Sequence, residues 1–351
     1  CKPAGTTVTA ISGGKAMKKF CFILLSLCLL SGCTGSSFHP YKNTDGLFEV
    51  DIQIDGAATP YYAPLYLAQE KGYFKEEGLQ VNFYYASAAE IVKNVGAGNV
   101  PFGFPNADTV LLGRGNGVPV NIIHTTYQKG LGAIIYKSES GIHKIQDLKG
   151  KTIAITSYGS PNYIQLKVIL QQNGLSIHDV QIKVIGTGAI VNALVSNQVD
   201  AICFSKLRTY ELQSSGIDVK QFLSNDYMPS YGNVVITSQT FLKEHPEICR
   251  GFTNALNRGM QDIIEGQVQE AVNIAKEKFT PSIAGSEQKY IDIISQEFVK
   301  NLWVSEDTAV YGYGYSNLHD YQIYIDLLQK NGLFKTSFPA DELIVQPGGA
   351  S

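Results

Sequence analysis

The sequence predicts an α/β protein of two lobes, built on parallel-rich sheets and finished by a helical C-terminal part. Three observations predict it. Short apolar stretches with strand spacing recur from residue 48 to residue 237, with room for amphipathic helices between most of them. Lys137 to Gly141 and Pro229 to Asn233 read as crossings between lobes, and the βαβ-rich stretch between them can fold as its own lobe. Beyond that stretch the pattern becomes mainly helical.

Residues 1–16 read as translated upstream sequence, because no methionine opens them and Met17 is the natural start. Lys18 and Lys19 precede an apolar run from Phe20 to Leu30, which Leu30-Ser31-Gly32-Cys33 closes. That run is shorter than the roughly 20 residues a helix needs to cross a bilayer. A basic start, a short apolar middle and a small-residue end describe a secretory signal peptide over 17–33. Its ending resembles the lipobox of bacterial lipoproteins, which implies a lipid on Cys33. Residues 34–47, TGSSFHPYKNTDGL, are polar and turn-rich, as a flexible tether is. The expected protein is extracytoplasmic and touches the bacterial cell membrane through its lipid anchor only.

Phe48, Val50, Ile52 and Ile54 have the period of a first strand, followed by a helix from Ala63 to Phe74 and a strand at Val81, Phe83 and Tyr85. Further strands are expected at Phe102–Phe104, Val120–His124, Ala133–Tyr136, Thr152–Thr156, Ile182–Ile185, Ala201–Phe204 and Val234–Thr237. The C-terminal helices are expected near 241–263, 267–279, 286–300 and 319–331. This divides the chain into one lobe of 48–137 plus 234–335, a second of 138–233, and a tail of 336–351. Two lobes joined by two strands leave a cleft, and such clefts are preferred ligand sites. No internal repeat of fixed period is present, which weighs against a solenoid.

The formal charge of −3 gives no electrostatic reason to expect a nucleic-acid partner. Twenty Tyr and sixteen Phe against one Trp make the chain tyrosine-heavy, and tyrosine suits clefts because it has a flat apolar face and a polar tip. Cys203 and Cys249 are expected as two buried thiols rather than a disulfide. No cysteine pair has metal-ligand spacing, so no metal is expected. There is no Gly-x-Ser-x-Gly elbow, no His-Glu-x-x-His and no phosphate-cradling glycine loop. Hence no catalytic residue and no cofactor are expected. His124, at a strand end, reads as a hydrogen-bonded structural histidine.

Three strand-to-helix turns carry polar caps or aromatic rings. In Thr156-Ser157-Tyr158-Gly159-Ser160-Pro161-Asn162-Tyr163, Ser160 suits an N-cap and Pro161 the first helical position. Free N–H groups at such a start attract an anion or carbonyl oxygen, and Tyr158 and Tyr163 offer stacking faces. Pro105-Asn106-Ala107-Asp108 supplies Asn106 as a second cap, and Thr59-Pro60-Tyr61-Tyr62-Ala63 supplies Tyr61 and Tyr62. These turns open at the carboxyl ends of strands, the ligand edge of open α/β sheets. Phe204, Gly159, Asp108 and Asn233 join the expected site. Arg208 either grips a ligand acid with two hydrogen bonds or lies solvated at the surface.

Tyr62-Ala63-Pro64-Leu65-Tyr66-Leu67-Ala68-Gln69-Glu70-Lys71-Gly72-Tyr73-Phe74 resembles the opening helix of the periplasmic-binding family that contains sulfonate, taurine, thiamine-pyrimidine and riboflavin binders. Glu77 to Val81, Asp108 to Leu112, Gly117 to Val120 and Asp147 to Lys151 continue the resemblance, which runs from about residue 50 to 335. It implies a type II periplasmic-binding fold that closes like a flytrap. It also implies a monomeric solute-binding protein feeding the permease and ATPase of an ABC importer, with no bond made or broken. Val95-Gly96-Ala97-Gly98 and Gly159 to Ile164 lean toward the riboflavin branch, with the thiamine-pyrimidine branch its competitor. The riboflavin branch typically carries an Asn-Glu pair where this chain has Leu207-Arg208. The superfamily also contains a fungal pyrimidine synthase with a cysteine-rich, iron-associated motif, and this chain has no such cluster.

Overall fold

The computed structural model describes residues 38–346. The upstream segment, the signal peptide, the lipidation at Cys33 and the end of the expected tail lie outside the described residues.

Among the described residues, ten strands form two five-stranded sheets. The first sheet holds β1 (Phe48–Asp55), β2 (Leu79–Ala86), β3 (Phe102–Phe104), β4 (Val120–His124) and β10 (Val235–Ser238), in the order β2-β1-β3-β10-β4. The second holds β5 (Gly132–Lys137), β6 (Thr152–Ile155), β7 (Gln181–Val184), β8 (Ala201–Ser205) and β9 (Val219–Leu223), in the order β7-β6-β8-β5-β9. The joined pairs that include β1 or β6 all run parallel, whereas β10 and β5 run antiparallel to both of their neighbours. The two antiparallel strands are those that enter a sheet from the other one. Parallel neighbours need crossovers, and helices such as Ala88–Gly96 and Pro161–Gln172 supply them.

The crossings fall at 125–131 and 224–234. The expected division had kept 132–137 in the first lobe, but its ladders with β8 and β9 put it in the second sheet. A polar stretch at Lys137 to Gly141 looks like a linker in sequence; here Ser138 N reaches Asp218 O at 3.1 Å and the segment is a turn within the second sheet's region. The crossings pair with each other: Tyr127 N donates to Asn233 O at 3.0 Å and Gly130 N to Ser230 O at 2.9 Å. Gly232 permits that approach, because a Cβ there would stand 2.8 Å from the Tyr127 ring.

The turns are capped as their residues suggest. Asn106 Oδ1 accepts from Thr109 N at 3.0 Å, Ser160 Oγ from Tyr163 N at 3.3 Å, and Ser87 and Glu90 close a capping box. The expected helix near 241–263 is two helices, Gln239–Glu244 and Pro246–Ile264, because Pro246 lacks the N–H that would continue the first. The helical segments at 268–279 and 287–302 both end in π turns. Val219–Leu223 forms a strand that its short, mixed sequence did not suggest. Cys203 and Cys249 are both free and buried, as expected.

Candidate functional site

Asp55 ends β1, Phe104 ends β3, Ile155 ends β6 and Ser205 ends β8, so the turns that follow them share the strand-end edge. In the first lobe, Thr59 Oγ1 accepts from Tyr61 N at 3.5 Å and opens the short turn Pro60–Tyr62. Tyr62 OH donates to Asp55 O at 2.6 Å, and its ring meets Phe104 edge-on at 5.8 Å. Asn106 Nδ2 stands 3.5 Å from Asp55 Oδ2, while Asn233 Nδ2 donates to Phe104 O at 3.0 Å. An isolated backbone bridge joins Asn106 to Asn233, so the structure brings Tyr62, Asn106 and Asn233 together around Asp55.

Asp55 was not among the expected residues. Burial holds its carboxyl above the usual range, against hydrogen bonds from Asn106 and from the Ala88 and Gly56 backbones. The available signal was an acidic residue ending an apolar strand, where a charge has no packing purpose.

Tyr61 is placed differently from its expected use as a stacking platform. Its ring already stacks on Phe298, 4.9 Å away at 14°, and tilts against Tyr290 at 5.6 Å. Its hydroxyl is buried without a hydrogen-bond partner, and its carbonyl accepts from Tyr127 OH at 2.9 Å. One face of this ring is therefore spent on the protein.

In the second lobe, Tyr158 is 62% exposed and meets Tyr163 edge-on at 5.3 Å. Ser160 Oγ donates to Ser157 O at 2.9 Å while capping the helix, and a Cβ on Gly159 would meet nothing within 4 Å. Open space therefore lies beside this turn. Arg208 lies over the Phe204 ring at 5.3 Å and pairs with Glu211 at 2.5 Å. Glu211 also holds Lys289 at 3.3 Å, so the positive charge of Arg208 is answered locally.

Asp108 is the clearest departure. Only 2% exposed, it accepts from Gln165 Nε2 at 3.2 and 3.3 Å and from Tyr324 OH. Burial pushes its carboxyl up to about 7. Because its helix follows β3 and that of Gln165 follows β6, Asp108 ties the lobes together instead of meeting a ligand. A second tie joins Lys206 to Glu297 at 2.8 Å; it is an ionic contact off the hydrogen-bonding line, and Tyr210 OH donates to the same carboxylate. Sequence reasoning missed both ties, because nothing local marks Gln165 or Glu297.

The other face of the crossings borders a cavity of about 930 Å³ whose lining includes Gln128, Ser230, Glu297 and Asp320. Tyr127 reaches Tyr61, while Gln128 reaches Tyr315 O at 2.9 Å and Ser305 at 2.9 Å, as neighbours on an extended chain point to opposite sides. None of the expected site residues lines that cavity. Among the described residues, no three His, Cys, Asp or Glu side chains gather as metal ligands.

Two sheets of this strand order, linked by two paired crossings with ligand-type turns at their strand ends, define the periplasmic-binding-protein class of fold. The family described as NMT1/THI5 like matches residues 59–270, and the chain belongs to it. The riboflavin-binding protein RibY of Chloroflexus aurantiacus is 27% identical over 77% of this chain and 77% of its own length. The formylaminopyrimidine-binding protein of Halalkalibacterium halodurans is 26% identical over 74% of this chain and 78% of its own. A 4-amino-5-hydroxymethyl-2-methylpyrimidine phosphate synthase of Aspergillus parasiticus is 29% identical over 59% of this chain and 64% of its own. In fold, the chain is similar to the aliphatic sulphonate binding protein SsuA of Escherichia coli, with a TM-score of 0.66 at 14% identity over 86% of this chain and 94% of that one.

Proposed function

We propose that this chain is the solute-capturing part of an ABC importer, held outside the cell membrane by lipid on Cys33. Its solute is a flat heteroaromatic vitamin or vitamin precursor, riboflavin-like ahead of a thiamine pyrimidine. One observation carries the reading: a polar floor of Asp55 and Asn106 in the first lobe and an exposed tyrosine, Tyr158, in the second, both at the strand-end edge. A carboxylate accepts from a ring N–H or amino group, and a phenol ring covers the heterocycle's face. The relatives named for riboflavin and for formylaminopyrimidine support the same ligand class. The paired Arg208 disfavours a ligand that needs a strong cationic grip.

Function then follows from differential binding. A ligand that touches both lobes stabilises the closed form over the open one by its extra contacts there, and the closed form is what a permease would read. The chain acts as a monomer with the permease and ATPase as partners and without chemistry on the ligand.

Titrating purified protein with riboflavin, by quenching of flavin fluorescence, and with formylaminopyrimidine, by calorimetry, tests the reading. Saturable one-to-one binding of either compound supports it; binding of neither overturns the ligand class. The fungal synthase relatives favour a second reading, an enzyme of pyrimidine synthesis. Mass spectrometry of the ligand after incubation separates the two, since recovery unchanged supports capture and a converted product replaces it with catalysis.

A further inference from the structure

One carboxyl group lies buried between the lobes, hydrogen-bonded across their boundary. Asp108 lies on the helix Ala107–Gly115, at its second position, and its partner Gln165 lies on the helix Pro161–Gln172 across the lobe boundary. Both residues are 2% exposed. The third wall is the helix Leu318–Lys330, from which Tyr324 OH donates to Asp108 Oδ1. Gln165 and Asp108 belong to elements that the two crossings connect, so a rotation that parts these two helices lengthens their contact and lets water reach the carboxyl.

The amide partner is unusual. Gln165 Nε2 serves both carboxylate oxygens, and its Oε1 is buried without a hydrogen-bond partner. The amide has room only because residue 132 is glycine: a Cβ there would lie 1.7 Å from Gln165 Oε1 and 2.6 Å from Ser224 Oγ. An orphaned buried carbonyl is costly, and the two ends of an amide differ only in which one donates. With the amide reversed, Oε1 accepts a hydrogen bond from a protonated Asp108 and the NH₂ turns toward the Ser224 side. The pocket therefore has a satisfied arrangement for the neutral acid, whereas the ionised acid leaves the carbonyl unpaired.

We propose that lobe closure takes up a proton from solvent at Asp108, with Gln165 Oε1 accepting the hydrogen bond of the protonated acid, so that the open–closed equilibrium of this protein depends on pH. The proton adds to a carboxylate oxygen as the lobes close and leaves to water as they open, with no other bond changed. The direction follows from burial, which raises the pKa of Asp108 in this arrangement of the lobes and is lost where water reaches the carboxyl. Rising pH through neutrality thus favours the open form. Among the described residues, the titratable groups brought to Asp108 are the phenols of Tyr324 and Tyr321, and both come from the same helix. Tyr321 is itself held by Thr125 at 2.9 Å and has its phenol pushed up by burial, so it keeps its proton in this range. The helix carrying Gln165 contributes the amide alone.

Small-angle X-ray scattering of the ligand-free full chain from pH 5.5 to 8.5 reads the lobe separation directly, without depending on which solute the cleft takes. The expected result is a radius of gyration that grows with pH around neutrality in the natural protein. Asp108→Asn, which cannot ionise, is expected to stay compact across the range. A pH-independent radius in the natural protein overturns the proposal, and so does an Asp108→Asn variant that opens with the same midpoint. Gln165→Met keeps the volume and removes the amide; a midpoint moved toward lower pH supports Gln165 as the acceptor, and one unmoved or moved toward higher pH, as loss of the Nε2 donor alone would give, overturns it. Circular dichroism of each variant at both ends of the range distinguishes opening from unfolding.

Discussion

The two lobes present tyrosines to the cleft edge in opposite ways. In the first lobe, Tyr61 lies on Phe298 and Tyr62 is tied through its hydroxyl to Asp55 O, so both rings are fixed before any ligand arrives. In the second, Tyr158 has one edge-on neighbour and is 62% exposed. A ring held by packing adds rigidity, and an exposed ring adds contact area when something covers it. On the proposed function, the first lobe is thus the preformed half of the site and the second the half that gains most from closure.

The comparison breaks most sharply at Phe298, which is fully buried beneath Tyr61. Phe298→Ala is expected to cost about 4 kcal/mol of unfolding free energy in urea titrations. A loss below about 1 kcal/mol would mean that the first lobe is not rigidly packed there. Next in size is the tie between the lobes at Lys206 and Glu297, each 7% exposed. Lys206→Met leaves a buried carboxylate unpaired and is expected to cost about 3 kcal/mol, and adding Glu297→Leu is expected to restore most of it. Equal losses in the single and double variants would show that the pair does not act as a unit.

Two buried groups then oppose each other in acid. His124 Nε2 stands 2.7 Å from Asn257 Oδ1, and burial lowers its proton affinity to about 4 from 6.5. Between those values the unfolded chain binds more protons, so this histidine removes stability as pH falls through that window. Asp108, raised to about 7 from 3.8, binds its proton first in the folded chain and adds stability over an overlapping window. The natural protein is therefore expected to change little between pH 6.5 and 5. Asp108→Asn is expected to lose about 2 kcal/mol over that span, and His124→Gln to gain a similar amount, both by chemical denaturation. The smallest effect belongs to the exposed ring: Tyr158→Ala is expected to weaken ligand binding by about 1 kcal/mol and leave the melting temperature unchanged. A fall in stability with unaltered affinity would make that tyrosine a packing residue.

Much of this architecture was legible locally. The alternation of Phe48 to Ile54 became β1, and the serine and asparagine ahead of Pro161 and Ala107 became caps, because strand period and helix-end hydrogen bonds are set by neighbours in the chain. The lobe boundary was misplaced because Gly132–Lys137 fits either sheet by pattern, and only its ladders to β8 and β9 decide. At the site, the turns were found but the uses of their side chains were not. Asp108 was expected to meet a ligand and instead meets Gln165, 57 residues away in the chain.

By itself, the sequence determined the α/β class, the strand-to-helix turns and the tyrosine-rich composition, since these depend on residue type and spacing along a few turns of chain. Only the tertiary structure decided which tyrosines are already covered, which charges are already answered and which carboxyl lies between the lobes. Those outcomes depend on contacts between segments far apart in sequence, where burial and a partner's charge, not the residue's own identity, set what a side chain has left to offer.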